Sequence, residues 1–181
     1  GKLRCHNLPT VSERVSCRLD LSEEEQAEEL RVSYLPEECR ALDKVADRED
    51  CVLLYGRSQP CWAKPQGLER VQCLKNLVGV SDIIAQKKAC GVRGSCTAAL
   101  RRNVHSLIKF QLYDLEERAE DLLEAGIANK EDVADVITSM EEQKVAFNAA
   151  KSKAERKAVI ETVRSIWEAF VAKVRADYGS R

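Results

Sequence analysis

The sequence contains no run of about 18 uninterrupted apolar residues, which is the length that a membrane-spanning helix requires. It also lacks a glycine-rich phosphate loop, a G-x-S-x-G motif and an H-E-x-x-H motif. The only two histidines are His6 and His105, and neither belongs to the Glu-x-x-His pairs that hold di-iron in helical bundles. We therefore expect no transmembrane segment in this chain, no catalytic residue and no cofactor.

The chain has almost no net charge. Its 29 Lys and Arg residues nearly balance its 30 Asp and Glu residues, which gives a formal net charge of −1. This balance predicts no general attraction to nucleic acid or to anionic membranes. The composition, with 44% apolar and 33% charged residues, is ordinary for a soluble globular protein. No signal peptide is visible, and the polar opening at Gly1 is what we expect of a mature or trimmed chain.

Cysteine and proline are missing from the second half of the chain. All eight cysteines lie between Cys5 and Cys96, and all four prolines lie at or before Pro65. After Cys96 the only glycines are Gly126 and Gly179. This division predicts cysteine-stapled helical hairpins over residues 1–96 and a three-helix bundle over residues 97–181, packed together as one unit.

The first six cysteines form a repeat. The pattern C-x7-[DE]-R-x-x-C occurs three times, beginning at Cys5, Cys39 and Cys61. A repeat that fixes both spacing and dipeptide indicates a repeated structural unit. In the second and third copies we expect two short helices, with the acid in the first turn of the second helix, and we expect the first copy to be shorter. The arginine is expected to hydrogen-bond carbonyl groups at the end of the neighbouring helix.

Turn residues predict where these helices end. In the second copy the second helix should run from about Ala46 to Tyr55, with Gly56 as its end. In the third copy the corresponding helix should run from Leu68 to Val78 and end at Gly79. A third short helix is expected from Asp82 to Lys88.

The repeat favours a disulfide within each copy, and the last two cysteines are expected to close a small loop. The predicted pairs are Cys5–Cys17, Cys39–Cys51, Cys61–Cys73 and Cys90–Cys96. Zinc is less favoured, because the chain has no C-x-x-C and zinc ligands usually come in close pairs. Reduced, buried cysteines are the other alternative. Disulfides predict an oxidising compartment, whether secreted, periplasmic or cell-surface.

The second half shows helical periodicity throughout. Apolar residues recur every three or four positions over three segments, which predicts an elongated antiparallel three-helix bundle. Asn129 is expected to cap the second of these helices, and Ser152 with Glu155 the third. The expected fold is therefore all-α, with disulfide-stapled hairpins followed by the bundle.

This topology would sort the charges into two poles. An acidic pole is expected at the turn between the first two helices, from Glu116, Glu117, Glu120, Asp121, Glu124, Glu131 and Asp132. A basic pole is expected at the other end and is the candidate polar binding surface: Arg101, Arg102, Lys151, Lys153, Arg156 and Lys157. The simpler interpretation, which we favour, is that both poles are solvated helix ends.

Three segments of the second half carry a resemblance: "LEERAEDLLEAGI", "EEQKVAFNAAKSKAER" and "VRSIWEAFVAKVR". Together with the upstream "LPEECRAL" and "DREDC", they resemble uncharacterised exported, cysteine-stapled helical proteins of uncultured bacteria and archaea. The resemblance implies an envelope location and carries no activity, ligand or site residue.

The leading functional hypothesis is a non-enzymatic, extracytoplasmic interaction or structural module, adhesin-like or on the cell surface. Its partner would be a protein or an envelope polymer. The alternative is a periplasmic or secreted ligand carrier or chaperone that binds in an apolar groove. An enzyme of unknown class comes third. A deep polar pocket with convergent titratable groups would contradict the leading hypothesis.

Overall fold

The chain is all-helical in a computed structural model that describes residues 5–31 and 35–180, with the polar opening at Gly1 outside them. No β-strand occurs in these described residues. The first six helices are α1 (Val11–Leu19), α2 (Glu23–Arg31), α3 (Glu37–Arg40), α4 (Val45–Trp62), α5 (Leu68–Val78) and α6 (Ile83–Cys90). The three long helices that follow are α7 (Gly94–Glu124), α8 (Lys130–Ala149) and α9 (Lys153–Gly179). None of the described helices combines the length and apolar character needed to cross a membrane.

Local capping chemistry sets most helix starts. The Asn129 side chain accepts from the Asp132 backbone N–H at 2.8 Å, as its position before α8 predicts. Ser152 accepts from Glu155 N at 3.1 Å in the same way. The Glu155 carboxylate, however, accepts from the backbone N–H of Lys151, at 2.7 Å. The predicted N-caps of α8 and α9 are therefore present, but the capping box predicted for α9 is only half formed, because Glu155 accepts from Lys151 where a capping box would have it accept from Ser152.

The predicted end of α4 at Gly56 is wrong. The helix continues through Gly56 and includes Pro60 in its last turn. A proline removes one backbone hydrogen bond from a helix interior. The side chain of Ser58 adds a hydrogen bond within this turn, because its Oγ donates to Tyr55 O at 2.6 Å. The longer helix therefore carries Cys51, the last cysteine of the second copy, and Cys61, the first of the third.

The four disulfides are those that the repeat predicts. Each pair within the repeat has a Cα–Cα distance of 5.5 Å, and the pair of the small loop has 5.4 Å. These values fall in the usual range for disulfides. The bonded pairs are Cys5–Cys17, Cys39–Cys51, Cys61–Cys73 and Cys90–Cys96. No cysteine within the described residues is free.

The repeated arginine closes the turn of each copy. Arg14 donates to Leu8 O at 2.6 Å, six residues earlier in the chain. Arg48 donates to Leu42 O at 2.7 Å, and Arg70 donates to Lys64 O at 2.8 Å, with the same separation. In all three copies the backbone N–H of that turn residue donates to the carbonyl of the first cysteine at 3.2 Å. The repeat is therefore one turn geometry, fixed by a disulfide and by an arginine.

The described helices form two compact units. Unit 1 comprises residues 1–52 and 115–181, and unit 2 comprises residues 53–114. This grouping assigns parts of α4 and of α7 to each unit, whereas the sequence pattern alone suggests a division at residue 96.

In unit 1, α8 is the most buried helix. It packs closely against α1, α3 and α9. Its inner face carries Val133, Ile137, Met140 and Phe147, each 4% exposed or less. The arrangement of α7, α8 and α9 as an up-down-up bundle stays a prediction.

Unit 2 has a core of its own. Buried Leu74, Val78, Val80 and Phe110 pack together with the half-cystine Cys61. Trp62 contacts the Phe110 ring edge-on, with centroids 6.0 Å apart. The third copy of the repeat therefore docks on the middle of α7 through apolar and aromatic contacts.

Candidate functional site

The predicted basic surface falls into two parts. Arg101 and Arg102 are exposed on the portion of α7 that belongs to unit 2. Lys151, Lys153 and Lys157 are exposed in unit 1, at the turn before α9 and in its first turns. The half-buried Arg156 donates to Ala150 O at 3.5 Å within the same turn. Each part is therefore a local cluster within its own unit.

The predicted acidic pole is partly wrong, because Glu116 points into the protein. Its residue exposure is 7%, and it lies beside Lys144 of α8. Asp132 is also buried, and its carboxylate pairs with Lys173 at 2.7 Å. Lys173 of α9 thus partly neutralises the acidic residues at the start of α8. Glu120, Asp121 and Glu124 remain exposed.

Lys144 is the centre of a buried ionic cluster in unit 1. Its ammonium nitrogen lies 3.2 Å from Glu116 Oε1, 3.2 Å from Glu141 Oε1 and 3.8 Å from Glu38 Oε2. The Lys144 side chain is 0% exposed, and the three glutamate side chains are between 4% and 8% exposed. Helices α3, α7 and α8 each contribute to this cluster.

Three carboxyl groups around one ammonium group cannot all be ionised cheaply in a buried site. Burial raises the pKa of Glu116 well above its usual value, the charge of Glu141 raises it further, and Lys144 partly opposes both. A protonated Glu116 would share its proton with Glu141. The four side chains are almost completely buried. We interpret it as a structural tie between α3, α7 and α8.

A second buried ion pair joins the first two copies of the repeat. Arg14 donates to both carboxylate oxygens of Glu37, at 2.7 Å and 2.9 Å. Burial alone would raise the pKa of Glu37, but hydrogen bonds and charge from Arg14, with Arg18 and Arg40 nearby, lower it below its usual value. The pair therefore holds α3 against α1 with an ionised carboxylate.

Metal-ligating residues meet at one point of the described chain. Glu38, Cys39 and Cys51 place potential ligand atoms within 4.8 Å of one another. The two sulfurs are bonded to each other in the Cys39–Cys51 disulfide, so neither is available as a thiolate ligand. These three residues therefore belong to the disulfide-closed turn of the second copy.

His6 has no reactive thiol beside it in the sequence. His6 follows Cys5, which is bonded to Cys17. Arg40 lies 2.7 Å from His6 Nδ1 and donates to the His6 carbonyl at 2.9 Å. Burial lowers the pKa of His6, and the charges of Arg40 and Arg14 lower it further. His6 is thus expected to be neutral and structural near pH 7.

Unit 2 holds a strong excess of positive charge. It contains ten Lys and Arg against three Asp and Glu, a formal net charge of +7. Unit 1 contains nineteen against twenty-seven, a formal net charge of −8. The two units sum to the −1 of the whole chain, which conceals this separation. The expectation of no attraction to anionic surfaces rested on that sum.

The positive charge of unit 2 is concentrated in one segment. From Ile83 to Tyr113 the sequence contains no Asp and no Glu. The segment carries Lys87, Lys88, Arg93, Arg101, Arg102 and Lys109. The next acid, Asp114, pairs with the buried Arg70 at 2.9 Å and is thereby engaged in the core of the unit. A charge count along the sequence in short windows would have revealed this segment.

The same unit exposes large aliphatic side chains. Val92 is fully exposed, Leu68 is 89% exposed and Ile84 is 82% exposed. Scattered exposed aliphatic residues are common on soluble proteins. Ile84 and Val92 differ in lying within the acid-free segment, beside its lysines and arginines.

No protein-family model, curated protein or solved structure matches this chain.

Proposed function

We propose that this protein is a non-enzymatic, extracytoplasmic interaction module in which unit 2 binds an anionic partner. The unequal charge of the two units carries this proposal, because a net charge of +7 on unit 2 favours an anionic partner for that unit. Arg101 and Arg102, part of the predicted polar binding surface, belong to this unit.

The extracytoplasmic location is supported by the four disulfides. Such bonds persist in oxidising compartments and are rare in the reducing cytosol. The test is the intact mass of the chain produced with export and of the chain produced in the cytosol, each measured before and after reduction. Four disulfides predict a gain of about 8 Da on reduction of the exported form. A native-source chain with eight free thiols would contradict the location.

A non-enzymatic role is supported by the burial of the Lys144 cluster. Titratable groups that converge in an open pocket are candidates for catalysis, but this set of groups is buried. Lys144 is 0% exposed and Glu116 is 8% exposed, so the cluster lies in the interior of unit 1.

The binding function is tested with an immobilised sulfated polysaccharide as the anionic probe. We expect the oxidised chain to be retained at low ionic strength, although its formal net charge is −1. The variant Lys87→Glu/Lys88→Glu/Arg101→Glu should lose retention. The matched control, Lys151→Glu/Lys153→Glu/Lys157→Glu, makes the same change of charge in unit 1 and should keep it. Equal loss in both variants would overturn the assignment to unit 2.

The ligand carrier is the second candidate, favoured by the exposed Leu68, Ile84 and Val92 in unit 2. A carrier should bind small apolar probes in solution, with saturable fluorescence of a dye such as 1-anilinonaphthalene-8-sulfonate. Saturable dye binding that persists in the three-Glu variant would favour the carrier over the charge-dependent module.

A further inference from the structure

We propose that α6 and the small loop after it form a tip that docks on an acidic lipid surface. The tip comprises residues 83–96, from the start of α6 to the end of the loop that Cys90 and Cys96 close. This inference rests on the proposed function, since it names the class of anionic partner that unit 2 would bind.

The first observation is the exposure of aliphatic side chains in the tip. Ile83 is 44% exposed, Ile84 is 82% exposed and Val92 is 103% exposed. The apolar core of unit 2 is formed by other residues, among them Leu74, Val78 and Phe110. The three aliphatic side chains of the tip are therefore available to enter an apolar phase outside the protein.

The second observation is the charge around them. Lys87 and Lys88 follow Ile84 by three and four residues on α6, so they lie beside it on the helix surface. Both lysines are exposed. The nearest acid is Asp82, whose carboxylate accepts from Ala85 N at 3.0 Å and thereby caps α6. No Asp or Glu occurs between Asp82 and Asp114. The tip thus combines aliphatic groups with lysines, as membrane-surface helices do.

The third observation is that the loop is held in place. The Cys90–Cys96 disulfide closes it. Arg93 donates to Ala89 O at 3.0 Å and to Cys90 O at 3.2 Å, which ties the loop to the end of α6. Val92 is therefore presented on a preformed turn, and docking does not first have to order the loop.

These features favour a lipid surface over a hydrated polymer. A soluble polyanion would satisfy Lys87 and Lys88 and leave Ile84 and Val92 in water. The interface of a bilayer accepts both kinds of group, because acidic headgroups attract the lysines while aliphatic side chains reach the acyl boundary. The eight residues of α6 are far fewer than the number that crosses a bilayer, so the tip would lie at the surface.

The experiment is co-sedimentation of the oxidised full chain with two kinds of vesicle. One contains phosphatidylcholine alone, and the other contains phosphatidylcholine with about 30% phosphatidylglycerol, which supplies the negative surface potential. We expect binding to the acidic vesicles and at least about tenfold less to the neutral ones. Equal binding to both would overturn the inference.

Two variants test the two parts of the tip. Ile84→Asn/Val92→Asn should weaken binding to acidic vesicles by about tenfold or more without changing the net charge. Lys87→Gln/Lys88→Gln should weaken it comparably at low salt. The control Leu53→Asn changes another aliphatic residue of unit 2, 64% exposed, and should bind as the wild type does. Thermal unfolding checks that all variants remain folded.

The outcomes separate this inference from the proposed function. If Ile84→Asn/Val92→Asn binds acidic vesicles as the wild type does, the aliphatic residues take no part and docking of the tip is overturned. If the chain is retained on the sulfated polymer but does not bind vesicles, the lipid surface is overturned and the anionic partner still stands. Failure to bind either probe overturns both.

Discussion

Arg70 donates to the carbonyl oxygen of Lys64 at 2.8 Å, and the same guanidinium group lies 2.9 Å from the carboxylate of Asp114. The first contact is local and recurs in every copy of the repeat. The second joins residues 44 positions apart and exists only because α5 packs on α7. Arg70 also lies over the Trp62 ring, 5.3 Å from its centroid, which adds a cation–π contact. One side chain thus serves both the repeat and the packing of unit 2.

Replacing Arg70 should therefore cost more than replacing the equivalent arginine of the second copy. Arg70→Ala leaves the carboxylate of Asp114 and two carbonyl groups without this donor, and we expect a loss of about 3 kcal/mol in the free energy of unfolding. Arg48 is half-buried, so Arg48→Ala should cost about 1 kcal/mol. Denaturant unfolding of both variants measures the difference, with the exposed Arg57→Ala as control. Equal losses for Arg70 and Arg48 would contradict the role of Asp114.

The Lys144 cluster predicts that stability falls as pH rises above the usual glutamate value. Because the folded pKa of Glu116 lies above its unfolded value near 4.5, the folded chain holds a proton that the unfolded chain has released. The stabilisation is full below about pH 4.5 and is lost as pH rises toward the folded pKa. Glu116→Gln should remove this contribution, so its stability relative to wild type should increase as the pH rises above about 4.5.

Unfolding by urea at several pH values checks this, with Glu142→Gln on the exposed side of α8 as the matched control. A constant difference between Glu116→Gln and wild type across that range would show that Glu116 titrates normally.

Glu37 should show the opposite dependence on pH. Its folded pKa is lowered, so its contribution is present above the unfolded value near 4.5 and is lost as pH falls through the folded pKa. Removing the charge leaves Arg14 buried without its carboxylate, and Glu37→Gln should lose about 3 kcal/mol at pH 7. The loss should shrink as the pH falls below about 4.5, where Glu37 of the unfolded wild-type chain takes up a proton, and it should vanish once folded Glu37 is neutral as well. A loss that does not change with pH would mean that the glutamine side chain is tolerated poorly for steric reasons alone.

The continuation of α4 through Gly56 predicts the effect of replacing that glycine, and Gly79 at the end of α5 provides the contrast. Gly56 lies inside the helix, and a Cβ added there meets no heavy atom within 4 Å. Gly56→Ala should therefore stabilise the protein by about 0.5–1 kcal/mol. Gly79 ends α5 at a φ of 69°, a conformation that alanine adopts at a cost. Gly79→Ala should destabilise by about 1 kcal/mol, as measured by thermal unfolding. Destabilisation at both sites would mean that Gly56 is needed to accommodate Pro60.

Most of the secondary structure could be predicted because its causes are local. The range of α5 and the cap at Asn129 depend on residues within one or two helical turns. The extent of α4 could not be predicted the same way, because a glycine and a proline commonly end a helix. Here the burial of Ser58 and Cys61 in unit 2 supports the continued helix across both residues.

The candidate surface was predicted only in part, for a different reason. Arg101 and Arg102 were identified as basic and exposed, but the charge sum of the whole chain concealed the acid-free segment that contains them. The sequence places Glu116 at a solvated helix end, because the helical periodicity of one segment does not show which residue of another helix faces it. In the structure Lys144 of α8 faces Glu116.

The sequence by itself determined most of the helices, the caps at Asn129 and Ser152 and the pairing of the cysteines. The caps and the cysteine pairs join residues no more than twelve positions apart. Over such distances the backbone geometry of a turn and a short helix decides which groups meet. Only the tertiary structure decided that Arg14 meets Glu37, that Arg70 meets Asp114 and that Lys144 meets Glu116. These contacts join separate helices, and which faces of two helices pack together depends on the burial of all their apolar residues at once.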